Sequence, residues 1–404
     1  MYFCGPTVYA RAHIGNARPF VVGMWLRNWL RLRGYDVTLV HNITDINDKI
    51  YVAAGDGSSA ELAARATDWY IQDIRDFELG LPDHMPKATE SVPQIVEFIS
   101  QLIANGHAYD ADGDVYFRVS SYPDYGQLSR QRVDDVEGQD EEDVPNPRKQ
   151  DPRDFALWKA NKPGEDTWWE SPWGRGRPGW HIECSVMAEE FLGPVFEIHG
   201  GGLDLVFPHH ENELAQSRSL GHDFAHVWTH NGMLRFTGEK MSKSEGNVVT
   251  IRDAIDRWGR ETLVLFFMTG HWSKPIDFSD ETVEHARAQL KTFRNALLLE
   301  TEGDADWREL EEVLDDDFNT PEALAVLHRW RAAGATEQLR RGLELFGIRH
   351  TRFEAPHVIR ELADARQTAR GERKFDEADQ LREEIEAQGW EVRDVEDGYQ
   401  LVPK

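Results

Sequence analysis

Two short motifs, placed far apart along the chain, constrain its fold more than any other feature. Residues 13–16 read His-Ile-Gly-Asn, and residues 240–244 read Lys-Met-Ser-Lys-Ser. The first motif stands before a segment of helical spacing, and the backbone N–H groups at a helix N-terminus bind anions such as phosphate. The second motif offers two lysines to the same phosphates. Because only the fold can bring the motifs together, the pair predicts a nucleotide site that spans both halves of a parallel sheet.

The spacing of apolar residues places the first motif inside a β-α-β unit. A short strand is predicted within residues 1–8, a helix over 17–34 and a second strand over 37–40. Residues 107–178 hold short strand-like pieces and many prolines and glycines, which indicates an inserted domain. The other predicted elements are helices over 58–79, 88–106, 281–300 and 322–347, a helix–strand unit over 181–200, a helix from Pro208 to about Leu220, a charged helical pair within 356–388 and a hairpin over 390–402.

The composition limits the classes to which the chain can belong. Its 404 residues are enough for two to four domains. No apolar run is long enough to span a bilayer and the N-terminus lacks a signal-peptide pattern, so we expect a cytoplasmic protein without a membrane partner. The net charge of −27 disfavours nucleic-acid binding unless basic residues gather on one face. That charge leaves open a salt-adapted source or an ordinary acidic enzyme.

The two cysteines of the chain cannot make a disulfide framework, and in a cytosolic enzyme such cysteines are buried, metal-bound or catalytic. Cys4 lies in the first predicted strand, and Cys184 lies in the predicted helix–strand unit over 181–200. His209 and Glu213 are four residues apart on a predicted helix and therefore share one of its faces. Two thiolates, an imidazole and a carboxylate would complete a tetrahedral zinc site. Spacing alone nevertheless favours a simpler explanation, in which two small buried cysteines lie beside a polar helix.

Longer strings extend these motifs and resemble those of the cysteinyl-tRNA synthetases, a family of class I aminoacyl-tRNA synthetases. The strings are Cys4–Tyr9, His13–Asn16, Asn42–Asp45, Asp151–Trp158, Gly179–Ser185, His199–Asp204, Phe207–Glu213, Lys240–Ser244 and Asp316–Pro321. The resemblance covers nearly the whole chain. It implies an α/β fold, with a class I Rossmann-like parallel-sheet catalytic domain, an inserted connective domain and a C-terminal α-helical domain.

The resemblance also implies a division of the chain into consecutive segments. These are the first half of the Rossmann catalytic domain (1–106), the inserted connective domain (107–178), the second half with the lysine motif (179–250), a stem-contact region (251–290), a helical bundle on the anticodon side (291–350) and a small C-terminal domain (351–404). The stretch between Asn319 and Arg349 is shorter than the bundle that the family leads us to expect, which leaves its reading of the anticodon open.

The activity that the resemblance implies is the ATP-dependent attachment of L-cysteine to tRNA(Cys) through a cysteinyl-adenylate. One zinc ion per chain would be held by Cys4, Cys184, His209 and Glu213 and would bind the thiolate of the substrate. Soft sulfur binds zinc better than a neutral hydroxyl does, so such a site rejects serine without a separate editing domain. Mg²⁺ would accompany ATP. We expect a monomer that binds L-cysteine, ATP and tRNA(Cys).

Further roles follow from the resemblance residue by residue. His13, Asn16, Lys240 and Lys243 are the implied catalytic residues, and His13, Asn16 and Lys243 would contact ATP. The implied lining of the amino-acid pocket is Gly5, Thr44, Trp180, His199 and Asp204. For Trp180 and His199 the alternative is plain core packing. His210 and Glu211 would either support the ligands from behind or be exposed.

Departures from the family pattern and rival functions remain. Asn16 replaces a histidine that is usual in the family, and Cys4 lies closer to the start than usual, which leaves open a start upstream of Met1. A cysteine ligase of mycothiol biosynthesis has a similar catalytic core, and a non-catalytic tRNA-binding paralogue is a rival of another class. For tRNA we predict a basic face despite the acidic charge. Its members are Arg329, Arg331, Arg340 and Arg341, with Arg370, Arg373 and Lys374 beyond them.

Overall fold

The structure is a computed structural model that describes residues 1–132, 147–236, 249–299, 301–349, 355–395 and 398–403. Contacts divide the chain into two compact units, residues 1–348 and 349–404. No helix in the described ranges is long and apolar enough to cross a membrane. The cytoplasmic location and the six-segment division stay predictions.

A four-stranded parallel sheet forms the centre of the larger unit. Its strands, in the order β2-β1-β7-β8, are β1 (Tyr2–Phe3), β2 (Val40–His41), β7 (Val195–Gly202) and β8 (Phe224–Asn231). The chain passes from β1 to β2 on one side, whereas β7 pairs with the other side of β1. In open α/β sheets the carboxyl edge at such a reversal of strand order is where ligands bind. The predicted α/β fold with a parallel sheet is confirmed.

A second sheet is antiparallel and lies in the segment that we interpreted as an insertion. Its strands, in consecutive order, are β3 (Ala108–Ala111), β4 (Asp114–Phe117), β5 (Phe155–Ala160) and β6 (Gly176–Pro178). Ile95, Ile99 and Leu102 pack with its apolar residues in one buried cluster. A short parallel pair, β9 (Leu234–Phe236) and β10 (Ile276–Phe278), completes the sheets of this unit.

Helices surround the sheets and supply most of the core. In the larger unit they are α1 (Ile14–Leu32), α2 (Asp48–Ala54), α3 (Ser59–Arg75), α4 (Val92–Ala104), α5 (Trp180–Leu192), α6 (Glu211–Ser219), α7 (Ile251–Trp258), α8 (Arg260–Met268), α9 (Asp280–Leu297), α10 (Arg308–Asp315), α11 (Thr320–Ala333) and α12 (Thr336–Leu345). In α1 the apolar residues Phe20, Val21, Met24 and Trp25 are buried because their spacing puts them on one side of the helix.

The smaller unit is a helical pair followed by a hairpin, as predicted. It contains α13 (His357–Gly371), α14 (Phe375–Ala387) and the antiparallel strands β11 (Trp390–Val395) and β12 (Gly398–Pro403). Ile359, Ala363, Ile385 and Val392 form its own small core.

Several element boundaries predicted from the sequence were wrong. The helix predicted over 322–347 is two helices, because Gly334 takes a left-handed φ of 70° and ends α11. The helix predicted from Pro208 is confirmed, because Phe207 is extended with φ −138° and ψ 134°, Pro208–His210 are helical and α6 continues them to Ser219. The first helix starts at Ile14 rather than at residue 17, and the second strand is Val40–His41 rather than 37–40.

Candidate metal centre and nucleotide site

Three separate elements bring the four predicted metal ligands together at the carboxyl edge of the parallel sheet. Cys4 directly follows β1 and donates its backbone N–H to Gly200 of β7 at 2.9 Å. Cys184 lies in the second turn of α5. His209 precedes α6 and Glu213 lies in its first turn. All four side chains are buried, and their donor atoms lie within 4.8 Å of one another.

The distances inside this cluster suit a tetrahedral metal. The Sγ atom of Cys4 lies 3.9 Å from Sγ of Cys184 and 3.7 Å from Oε1 of Glu213, and Nε2 of His209 lies 3.0 Å from the same oxygen. Ligand atoms of a tetrahedral zinc site lie roughly 3.3–3.8 Å apart, given bonds of about 2.0 Å to nitrogen or oxygen and about 2.3 Å to sulfur. The donor set suits zinc, and the observed separations of 3.0 to 3.9 Å lie within about 0.3 Å of this range.

Burial controls the protonation of the cluster. It raises the pKa of the Cys4 thiol and of the Glu213 carboxyl well above their ordinary values, and it lowers the pKa of the His209 imidazole. The cause is the same for all three, because a buried site penalises each charged form. A neutral His209 keeps a lone pair for a metal. A divalent cation would supply the positive charge that a thiolate and a carboxylate need at this depth.

A second set of possible ligands shares the same pocket. Its members are Cys4, His199, His210 and Glu213, whose donor atoms also lie within 4.8 Å of one another. Glu213 turns Oε1 toward Cys4 and His209, whereas its Oε2 pairs with Nε2 of His199 at 2.7 Å. This arrangement resembles a ligating carboxylate with a hydrogen-bonded partner behind it. The set with Cys184 also offers two soft thiolates, which zinc prefers.

Further histidines surround the cluster, and two of them, His181 and His230, had no role in the sequence analysis. Nδ1 of His181 lies 2.9 Å from Nδ1 of His209, and Nδ1 of His210 lies 2.9 Å from Nε2 of His230. Trp228 stacks on His199 with ring centroids 4.6 Å apart. For Trp228 and His230, alternation along β8 could have been a signal, since both share with His199 of β7 the face that bears Cys4.

His210 and Glu211 are both buried, so the exposed alternative is wrong for each. Glu211 accepts hydrogen bonds from the backbone N–H groups of Gly126, at 2.8 Å, and Ser129, at 2.7 Å. It therefore ties α6 to the segment that follows β4.

The predicted pocket residues lie next to the metal candidates or to their strands. At Gly5 a Cβ atom would lie 1.7 Å from the carbonyl oxygen of Asn42, so only glycine fits there. Thr44 is buried and accepts a hydrogen bond from the Asn42 amide at 3.3 Å. Trp180 stacks on His209 with ring centroids 4.4 Å apart. Their contacts with substrate stay predictions.

His199 and Asp204, the other two predicted pocket residues, differ in exposure. His199 is fully buried against Glu213, and burial lowers its pKa to about 3. Asp204 lies on the exposed turn Leu203–Leu205 directly after β7. A Cβ atom at Gly202 would lie 2.2 Å from the Asp204 carboxylate, which shows how closely that side chain folds back onto the end of the strand.

The first motif forms the N-terminus of α1. The side-chain oxygen of Asn16 accepts a hydrogen bond from the backbone N–H of His13 at 3.2 Å, so the amide nitrogen is the atom that can donate to a phosphate. A Cβ atom at Gly15 would lie 2.9 Å from the His13 ring. Glycine at this position therefore lets the ring fold over the first turn of the helix, beside its N–H groups.

The chain that follows the second motif returns to the first motif. The backbone N–H of Ile14 donates to the Val249 carbonyl at 3.0 Å, and that of Ile251 donates to the Ala12 carbonyl at 2.9 Å. His13 and Thr250 are partners in this antiparallel bridge. Lys240 and Lys243 themselves lie outside the described residues.

Comparison with known proteins gives concordant results for the sequence. Residues 1–288 match the family model described as the tRNA synthetases class I (C) catalytic domain, and residues 309–333 match the DALR domain. The chain is 43% identical to "Cysteine--tRNA ligase" of Jannaschia sp. (strain CCS1) over 100% of its length and 92% of the relative. It is 39% identical to the protein of that name from Thermococcus gammatolerans, covering 98% of this chain and 93% of the relative.

Solved structures share the fold at low sequence identity. The complex of Mycobacterium tuberculosis methionyl-tRNA synthetase with methionyl-adenylate aligns with a TM-score of 0.59 and 16% identity, over 91% of this chain and 84% of that one. The Agrobacterium radiobacter K84 LeuRS ternary complex aligns with a TM-score of 0.60 and 12% identity, over 86% and 83% of the two chains.

Proposed function

The chain belongs to the cysteine–tRNA ligases, a family of class I aminoacyl-tRNA synthetases, and we propose how its buried Cys-Cys-His-Glu cluster selects the amino acid. The chain is an enzyme that attaches L-cysteine to tRNA at the expense of ATP. The observation that carries the proposal is the convergence of four suitable donor atoms within 4.8 Å at the carboxyl edge of the sheet.

Selection of cysteine over serine follows from the chemistry of the cluster. Cys4, Cys184, His209 and Glu213 would hold one Zn²⁺, which when bound supplies a soft Lewis acid that favours a thiolate over a neutral hydroxyl. The side chains around it orient these ligands, because His199 holds Oε2 of Glu213 and His181 contacts Nδ1 of His209. Trp180, stacked on His209, excludes water from the imidazole side.

Activation of cysteine is proposed to occur beside the N-terminus of α1. The cysteine carboxylate attacks the α-phosphorus of ATP, an adenylate forms and pyrophosphate leaves. His13 and Asn16 would donate hydrogen bonds to the phosphates, and Lys240 and Lys243 would neutralise charge that grows on the leaving group. Mg²⁺ is proposed to enter with ATP. Gly5, Thr44 and Asp204 are proposed to contact the amino acid itself.

Transfer of cysteine to tRNA requires a docking surface, which we propose in the helical region around the DALR match. Arg329 pairs with Glu309 at 3.4 Å and with Glu322 at 3.3 Å, and Arg340 pairs with Glu337 at 2.5 Å. Exposed ion pairs are weak, so an approaching phosphate can replace the carboxylate partners. We propose that the enzyme acts as a monomer on tRNA(Cys).

Cysteine-dependent exchange of pyrophosphate into ATP tests the proposal for activation. We expect exchange with L-cysteine, little exchange with L-serine, and loss of exchange after the metal is removed by a chelator. Restoration by Zn²⁺ would support the metal site, whereas full exchange in metal-free protein would refute it. Charging of tRNA by the same preparation separates this enzyme from a ligase that transfers cysteine to an amino sugar, and from a non-catalytic paralogue.

A further inference from the structure

Two described segments flank residues 237–248, which carry Lys240 and Lys243. We call Gly232–Phe236 the departing flank and Val249–Arg252 the returning flank. We propose that Arg18 and Arg252 are positioning residues for cysteine activation, because they fix these flanks to the part of the fold that presents His13. The inference rests on the proposed role of His13 and of the lysines in activation.

Arg18 connects helix α1 with the departing flank. Its guanidinium donates to the Gly232 carbonyl through Nη1 and to the His271 carbonyl through Nη2, the latter at 2.9 Å. Gly232 in turn donates its N–H to the Trp272 carbonyl at 2.9 Å. Arg18 is only 1% exposed, and burial lowers its pKa to about 10, so the side chain is still charged at neutral pH.

The choice of arginine at position 18 points to a connecting role. A buried charge costs free energy that an apolar side chain would avoid, and the described partners of this guanidinium are two backbone carbonyls. The planar guanidinium reaches both carbonyls at once, whereas a lysine ammonium is a single point charge. Gly232 is packed just as tightly, because a Cβ atom there would lie 2.1 Å from the backbone of Lys274.

The returning flank is fixed by backbone and by charge. Its backbone pairs with Ala12–Ile14, as described above. Arg252 then forms ion pairs with Asp73 of α3, at 3.2 Å, and with Asp76, which directly follows α3. The Asp73 side chain is fully buried and also lies 3.5 Å from Arg11, two residues before His13. Asp73 thus joins the chain before the first motif to the chain after the second.

Both flanks therefore contact the N-terminal part of helix α1. Arg18 lies two residues beyond the His13–Asn16 motif and contacts the departing flank, while His13 and Ile14 pair with the returning flank. Because phosphoryl transfer depends mainly on the placement of charged groups, a shift of either flank by about 1 Å is expected to slow activation on the order of 100-fold. Cysteine recognition at the metal cluster should be unaffected.

The first test compares Arg18→Lys with Arg27→Lys. Arg27 lies on the same helix, is 6% exposed and also binds a backbone carbonyl, but that carbonyl belongs to Leu81, at 2.6 Å. Thermal unfolding should show a similar loss of stability for both variants. We expect Arg18→Lys to lower kcat of ATP–pyrophosphate exchange by about 10- to 100-fold with the KM for cysteine nearly unchanged. Arg27→Lys should leave kcat within about two-fold. An equal fall in kcat for both variants would overturn the inference.

The second test uses Arg252, with Arg257 on the same helix as control. Arg257 pairs with Asp280 at the surface, at 2.5 Å. Arg252→Ala should lower kcat by about 10-fold or more, Arg252→Lys should restore part of it, and Arg257→Ala should behave like the parent. If Arg252→Ala changes only the unfolding temperature, Arg252 has no positioning role. Zinc content is measured in each variant, and cysteine binding is measured by tryptophan fluorescence. A failure of the metal proposal is thereby distinguished from a failure of the positioning role.

Discussion

The candidate metal cluster and the proposed nucleotide site lie on the same parallel sheet, yet they are built in opposite ways. The metal candidates are buried side chains whose partners are other buried side chains, such as His199 behind Glu213 and His181 beside His209. The nucleotide site is a half-buried helix terminus, held by backbone pairing between residues 12–14 and 249–251 and by ion pairs at Arg252. We therefore propose that selection of the amino acid depends on the buried interior, and that activation depends on how peripheral segments are placed.

This contrast predicts that variants in the two regions impair different steps, namely the binding of cysteine or the formation of the adenylate. Changes at the metal cluster should impair cysteine binding and selectivity, while ATP binding persists. Changes at the nucleotide site should reduce the rate of adenylate formation, while cysteine binding persists.

The largest effect is expected for Cys184→Ser. Replacement of a soft thiolate by a hydroxyl should cost more than the roughly 10- to 100-fold in metal affinity that loss of a supporting partner costs. We expect loss of zinc, a strongly raised KM for cysteine and reduced discrimination against serine, with the KM for ATP little changed. Separate Michaelis constants and metal analysis measure these effects. Equal damage to both substrates would mean that the two regions are not separable.

The variant Lys243→Ala tests the proposed nucleotide site. We expect the rate constant of adenylate formation to fall by about 100-fold, because a cation that meets charge developing on pyrophosphate acts in the transition state. The KM for ATP should change much less. Rapid-quench measurement of adenylate formation distinguishes the two parameters. Weaker ATP binding with an unchanged rate constant would assign the lysine to the ground state.

The variant His210→Gln distinguishes the two possible ligand sets of the candidate metal cluster. If Cys184 and His209 are ligands, His210→Gln should retain zinc with affinity lowered by about 10-fold, and His209→Gln should lose the metal. The opposite order in a chelator competition assay would favour the set with His199 and His210.

The smallest effect on activation is expected from charge reversal at Arg340 and Arg341, which belong to neither region. Charging of tRNA should weaken by about 10-fold, since each lost phosphate contact weakens binding, while ATP–pyrophosphate exchange stays intact. Unchanged charging would place the docking surface elsewhere. A loss of exchange as well would indicate that the double variant disturbs the fold.

Sequence reasoning located the metal candidates better than it located the elements that carry them. Cys4, Cys184, His209 and Glu213 were identified by type and by resemblance, and the structure does bring them together. The break at Gly334 was missed because the flanking segments share one helical spacing, although a glycine after a helical run is a known stop signal. Alternation along β8 could have placed His230 on the face of Cys4, whereas the contacts of His181 and His210 could not be read from the sequence, since they depend on how α5 and α6 pack on the sheet.

X-ray absorption at the zinc edge, with and without substrate, tests the central claim most directly. The account predicts two sulfur neighbours at about 2.3 Å in the free enzyme, from Cys4 and Cys184. It predicts a third when L-cysteine is added, and no third with L-serine. A single sulfur neighbour in the free enzyme would assign the metal to the set with His199 and His210. A sulfur count that does not change with L-cysteine would contradict recognition of the substrate thiolate by the metal.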